Sequence, residues 1–334
     1  MESPFPKSSS APGEGRVVAK LQPEGGSALE ALAYQYPLKL ISPSRPADST
    51  KSVLVFLLSY GGGLVGGDSV SLAVDVRPGA RLSMVTQGHT KVFAPATNTP
   101  NLVTRQTMRA HLAPAAALCL LPDPVQPFAA SVYEQTQVFR LAPDASLCLL
   151  DWVTQGRSAR GEDWSFARWT GRNEVWAVSE NNERLLVRDA VILDGAQPPS
   201  PPHMMPTLRE SMHAMGVVGT LILRGPLVKA LADFFLAEFA ALPRLGSRDF
   251  RSDSDARRDA ADEPVSDLEK WRRARLLTER TTRLLWSAAN VRGCVVVKFG
   301  APAVEAGRLW VGAMLAREGS VARVFGDHAL MCVR

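Results

Sequence analysis

Tyr60-Gly61-Gly62-Gly63-Leu64-Val65-Gly66-Gly67-Asp68, running into Ser69-Val70-Ser71-Leu72-Ala73-Val74-Asp75-Val76-Arg77, decides how the rest of this chain is read. Five glycines in seven residues fit only where the backbone takes positive φ or passes close to another segment. Gly61-x-Gly63-x-x-Gly66 has the letters of a dinucleotide-binding turn, but that turn needs a helix behind it to hold the phosphates. Here Val70, Leu72, Val74 and Val76 alternate with polar or small residues, which is the period of a strand. The P-loop lysine is also missing. The run before the glycines, Val53 to Leu58, is apolar throughout and predicts a buried strand. The unit is therefore strand, glycine turn, strand. Asp68 closes the turn, and its plainest role is to bond its own backbone.

Working outward, the pattern around Pro78 returns twice. Val74-Asp-Val-Arg-Pro78-Gly-Ala80-Arg-Leu82 resembles Met108 to Leu118 around Pro114 and Ala116. It also resembles Val138 to Leu147 around Pro143 and Ala145. Each copy is a strand, a Pro-x-Ala turn and a second strand, so the expectation is stacked antiparallel hairpins in layered sheets. Leu121-Pro122-Asp123-Pro124-Val-Gln-Pro-Phe128 carries three prolines in six residues and predicts neither a helix nor a central strand.

Helices collect towards the end. Leu227–Leu242, after Gly225-Pro226, has helical spacing. Ser266, with Glu269 three residues on, predicts an N-cap and a helix to about Ala289. Val304–Met314 predicts a third. Cys294–Phe299 between them is a buried strand. Arg244 to Glu263 holds five arginines and six acids with few apolar residues, so about 244–265 is expected as a charged, disordered insert. Residues 1–15 are expected as a disordered tail, and 16–334 as one domain: β-rich over 16–224, helical over 225–334. The fold class expected is mainly β, of stacked antiparallel sheets, β-helix-like, with two or three helices in the C-terminal third.

With 46% hydrophobic and 21% charged residues the chain can bury a sizeable core, and its net charge of +5 is spread out. That argues against nucleic-acid binding. Cys119, Cys148, Cys294 and Cys332 lie far apart, as suits buried thiols in a reducing compartment. There is no apolar run of spanning length, so a cytoplasmic protein without membrane contact is expected.

Catalytic signatures such as G-x-S-x-G and H-E-x-x-H do not occur. His203 with Met204 and Met205 would suit a soft metal, although a functionless loop explains them as well. His89 lies near Gln87 and Lys91 after a strand. Asp68, Asp123, Asp151 and Glu162 sit beside Gly, Pro or Trp in β-rich sequence. Such carboxylates either cap backbone amides or line a polar interior path suited to transient passage of a divalent ion.

Several segments, in order, resemble the UreD (UreH) family of urease accessory proteins. They are Gly61-Gly62-Gly63-Leu-Val-Gly66-Gly67-Asp68, Thr86-Gln87-Gly-His-Thr-Lys91-Val-Phe, and Leu121-Pro122-Asp-Pro124-Val-Gln-Pro-Phe128. Ser131-x-Tyr133-x-Gln135 follows, then Trp152-Val-Thr-Gln-Gly156-Arg157-x-x-x-Gly161-Glu162-x-Trp164. The resemblance implies a β-helix-like stack with a few helices and a non-enzymatic scaffold. It implies UreF-type and UreG-type partners, the latter a GTPase, and docking on apo-urease to help deliver nickel to an active site whose lysine is carbamylated. Nickel (Ni2+) would be handled transiently and no cofactor bound tightly. A polar nickel route would make Asp68 and Glu162 its candidate liners. The charged insert and the Pro-rich loop of 197–206 depart from the family's shorter core. Two alternatives remain at this stage: a nucleotide-dependent enzyme using the Gly61–Gly67 loop, and a β-solenoid hydrolase with paired carboxylates.

Overall fold

The computed structural model describes residues 11–43, 51–96, 102–180, 182–195, 206–242 and 266–334. The expected insert, His203 to Met205 and Met1 to Ser10 lie outside these residues. Among the described residues strands dominate, as expected. Seventeen of them form two sheets: β1 (Glu14–Leu21), β2 (Ser27–Tyr34), β3 (Leu38–Ile41), β4 (Val53–Ser59), β5 (Ser69–Val76), β6 (Arg81–Val85), β7 (Thr90–Val92), β8 (Thr104–Leu112), β9 (Ala117–Leu120), β10 (Val125–Pro127), β11 (Val132–Leu141), β12 (Ser146–Thr154), β13 (Arg168–Ser179), β14 (Asn182–Asp194), β15 (Val217–Arg224), β16 (Leu285–Val291) and β17 (Cys294–Ala301). Sheet A runs β14-β13-β11-β8-β5-β1-β2. Sheet B runs β16-β17-β15-β12-β9-β6-β4-β3, with β7 and β10 attached beside β12.

The three Pro-x-Ala units pair differently from the expectation. Each turn carries the chain from sheet A to sheet B, not back along its own sheet. The repeats then stack in parallel: β5 on β8 and β8 on β11 in one sheet, β6 on β9 and β9 on β12 in the other. The β-helix-like stack stands; the antiparallel hairpins inside it are replaced by cross-sheet arches. The physical reason lies at the turn. Ala80, Ala116 and Ala145 are fully buried, and their carbonyl or amide groups bond the next coil, with Ala117 N donating to Ala80 O and Ser146 N to Ala116 O, both at 2.9 Å. A methyl is all that fits at a corner where two apolar faces meet, so the alanines turn the chain into the core. Leu82, Leu118 and Leu147 then align in register behind them.

The central strands of sheet B are buried on both faces. One face meets sheet A across a core including Leu147, Leu149 and Val153. The other meets the helices through Cys148, Leu150 and Trp152. That is why β12 is buried at all nine positions and shows no alternation. All four cysteines are buried free thiols, with Cys119 and Cys148 neighbours across the β9–β12 pair.

The helices are α1 (Leu208–Ser211), α2 (Lys229–Ala240), α3 (Asp267–Thr281), α4 (Val304–Glu318) and α5 (Ser320–Phe325). The three long ones are those expected. The capping box at Ser266 and Glu269 is present. However, α3 stops at Thr281, because Leu285 to Val291 pair with β17 as an edge strand. Buried Glu238 on α2 ties the layer together through Arg272 and Arg275 on α3. At the N-terminal end, β1 begins at Glu14, inside the stretch expected as tail, since Glu14 and Gly15 already pair with Ser71 and Leu72.

Candidate functional site

The segments picked out in the sequence converge at one end of the two-sheet stack. No helix follows the Gly61–Gly67 turn; β5 does, as its alternation required. Leu64 is stitched to β7, its N–H donating to Lys91 O and its carbonyl accepting from Phe93 N, both at 2.8 Å. A side chain at Gly63 would stand 2.9 Å from Lys91 O, so this approach demands glycine. Gly67 takes φ +91°, where glycine alone is unstrained. β10 lies parallel to β7, bringing Pro122 and Pro124 alongside, with Pro122 O accepting from Trp152 Nε1 at 2.8 Å. Phe128 packs edge-on to Phe93 and carries the Arg157 guanidinium 3.8 Å over its ring.

Asp68 is half-buried and turned inward on its own loop, where Oδ2 accepts from Val65 N at 2.8 Å. Glu162 is buried and held by Arg157 three times: through the backbone N at 2.7 Å, Nε at 2.9 Å and the terminal guanidinium nitrogen. Burial alone would raise its carboxyl; the Arg157 bonds, with a backbone bond from Ala129, more than offset this and hold it below the usual glutamate range. Both acids are thus fixed by neighbours in their own loops. Gly156 at φ +108° and Gly161 at +77° shape that loop, and Trp164 closes it with Nε1 donating to Met215 O at 2.8 Å. Gln87 and Lys91 are exposed.

The polar interior lies deeper, between the sheets. On β11 the inward positions 133, 135, 137 and 139 hold Tyr, Gln, Gln and Phe. Gln135 donates to Asp151 Oδ1 at 2.8 Å, and Asn173 on β13 donates to Oδ2 at 2.7 Å. Asp151 is therefore gripped on both oxygens from the opposite sheet. Burial nonetheless raises its pKa, with Asp189 adding to the rise and the two amides and Lys298 opposing it. Gln137 Oε1 and Asn173 Oδ1 are buried and lack hydrogen-bond partners. A second buried acid, Asp123, accepts from Thr86 Oγ1 at 3.1 Å and Gly88 N at 2.9 Å, and pairs with Arg308 of α4 at 2.7 Å. His89 stands beside it; burial lowers its pKa, with Asp123 opposing and Arg308 and Lys91 reinforcing, so the imidazole is neutral near pH 7.

Three spaces share walls along this line. An outer cavity of about 590 Å³ is lined by Thr86, His89, Asp123, Arg308 and Cys332. An inner one of about 30 Å³ touches Thr86, Asp123, Gln135, Gln137 and Asp151. A cleft of about 560 Å³ opens beyond Asp151, with Asn173, Asp189 and Lys298 on its polar side and Trp169 and Trp286 on its apolar side. Asp123 borders the first two spaces and Asp151 the last two. Among the described residues no group of three or more His, Cys, Asp or Glu side chains is placed to hold a metal ion. Arg308, Asn173 and Gln137 escaped the sequence reading, though two glutamines at inward-facing strand positions were a visible signal.

The fold and site define a two-sheet scaffold faced by helices on one side, threaded by a polar line with an acid at each junction. The family model described as UreD urease accessory protein matches residues 11–331, and the chain belongs to that family. It is 37% identical over 209 residues to "Urease accessory protein 4" of Cryptococcus neoformans var. grubii, covering 55% of this chain and 61% of that one. It is 32% identical over 279 residues to the "Uncharacterized urease accessory protein ureD-like" of Schizosaccharomyces pombe, covering 82% and 83%. With "Urease accessory protein UreD" of Sorangium cellulosum the identity is 37% over 213 residues, 64% of this chain and 62% of the other. The chain thus spans about three fifths of the length of the first and third of these relatives.

Proposed function

We propose that this protein is a cytoplasmic urease accessory scaffold and not an enzyme. Together with a UreF-type protein and a UreG-type GTPase it binds apo-urease and assists delivery of nickel to the active site. The observation that supports this best is the line of three cavities joined at Asp123 and Asp151. Oxygen-rich walls without a closed ligand set suit an ion in transit. The inner space holds about one water, so a passing Ni2+ would trade part of its hydration shell for the carboxylates and for the unpartnered oxygens of Gln137 and Asn173. Asp68 and Glu162 were the liners implied by the resemblance. In our reading they shape the loops around the mouth, and the ion meets Asp123 and Asp151 further in. A nucleotide-dependent activity has no support from the Gly61–Gly67 turn, which leads into a strand. Among the described residues no helix is long and apolar enough to cross a membrane.

The test is nickel loading of urease by the assembled accessory proteins carrying Asp151→Asn. Nickel per urease site should fall about tenfold while the partners still co-purify. Unchanged loading would overturn the route, and joint loss of loading and assembly would make Asp151 a structural residue.

A further inference from the structure

Arg308 is the feature that this function leaves unexplained. It projects from α4 across to the loop after β9 and places its guanidinium 2.7 Å from Asp123 Oδ1. Its side chain keeps 21% of its exposure, whereas Asp123 keeps 6%. The other Asp123 oxygen is already taken by Thr86 Oγ1 and Gly88 N. Asp123 therefore needs no arginine to be held in place. What Arg308 adds is a permanent positive charge at Asp123, which with Thr86 borders both the outer and inner cavities. Arginine cannot shed that charge at any working pH. Lys91, close to His89, is a further cation on the same side. A divalent cation entering from the outer cavity thus meets a neutralised carboxylate and a fixed like charge in a partly buried space, where charge interactions are stronger than in water.

We propose that Arg308 is the charge-selecting residue of the cation line: seated on Asp123, its guanidinium excludes divalent cations from the inner cavity until it swings out towards solvent. The inference rests on the transit reading given above. The long side chain and its open outer flank make the swing sterically possible, and Asp123 stays anchored by Thr86 and Gly88 when it occurs. An ion that reaches Asp123 does so by replacing the guanidinium.

The test titrates the purified full-length chain with NiCl2 by calorimetry at fixed ionic strength, with melting temperatures measured alongside. Arg308→Gln and Arg308→Met remove the charge, the latter keeping the packed stem. Each should bind Ni2+ about tenfold more tightly than the wild type, a change of about 1.4 kcal/mol. Adding Asp123→Asn to either should abolish the gain, which locates the ion at Asp123. Folded variants that bind Ni2+ no tighter than the wild type would overturn the proposal. Failure of both to fold would make Arg308 a strut and overturn it equally. The transit reading fails separately: if Asp151→Asn leaves urease loading intact, the route is wrong even where the Arg308 variants gain binding. If loading needs Asp151 and the Arg308 variants gain nothing, the route stands and the selecting role falls.

Discussion

At the residue scale, Asp151 and Glu162 are two buried carboxylates that the fold treats in opposite ways. Glu162 is held below its ordinary range, so its contribution to stability is present above the unfolded value of about pH 4.3 and is lost as pH falls through the lower folded value. Glu162→Gln removes that dependence. Its melting temperature should lie below that of the wild type at pH 7, and the gap should close as pH drops below about 4. Differential scanning calorimetry across pH 3–7 measures both curves. Asp151 is shifted upward, so its folded form keeps the proton more readily than the unfolded chain, and stability drains as pH rises above about 3.9. Asp151→Asn has no such charge to bury, so its stability relative to the wild type should improve as pH climbs from 4 to 7. A residue retained at a cost in stability points to a use beyond folding. If Asp151→Asn loses stability steadily over the same range, the carboxylate is part of the packing.

At the scale of elements, the arches carry the fold. Their corners are β-turns with proline at the second position, and the third position is left-handed at Gly79 (φ +69°) and Ala115 (φ +58°). Alanine is strained there and glycine is not. Ala115→Gly should therefore stabilise by about 0.5–1 kcal/mol, the relief exceeding the added freedom of the unfolded chain. The buried neighbour behaves in reverse: Ala116→Leu forces extra methylenes into a filled corner and should cost about 1–3 kcal/mol. Urea denaturation of the two variants decides both. The repeat around Pro78, Pro114 and Pro143 was visible in the letters, and so were the buried strands and the Ser266 capping box. Their pairing was not. A strand–turn–strand pattern is the same whether the second strand folds back on the first or crosses to another sheet, and only the buried alanines distinguish the two. The end of α3 was hidden for a related reason: Leu284 to Val291 are half-apolar without period, and pairing with β17 outweighs their helix propensity. The line between Asp123 and Asp151 was half legible. The acids stood beside prolines and tryptophans, but Arg308 and Asn173 join them only through contacts 185 and 22 residues away in sequence.

At the scale of the whole molecule, the chain end is part of the site. Cys332 and Val333 are buried. Val333 O lies where a side chain on Gly312 of α4 would have to go, and Cys332 Sγ donates to Thr86 O at 3.3 Å. The thiol is pushed up to about 11 by burial and by Asp123, so it stays protonated and donates. Removing residues 331–334 should cost about 2–4 kcal/mol from lost apolar burial and open the outer cavity beside Asp123. Thermal unfolding reads the first effect. If the truncated chain melts with the wild type, the C-terminal segment contributes nothing to the helical layer.

Parallel stacking of the arches has a metrical consequence. Asp151 lies on β12, and Asp123 lies in the loop that leaves β9, the neighbouring strand of sheet B, whose last paired residue, Leu120, stands opposite Leu149. Rungs in a sheet are spaced by about 4.8 Å and no fraction of it is available. Asp151 is locked on its rung by the ladders of β12 with β9 and β15, and Asp123 is carried just beyond the end of the β9 ladder at Leu120. Lengthening a loop elsewhere in the chain leaves β9 and β12 on their rungs. The spacing of the two strands is digital, and length changes in remote loops do not detune it.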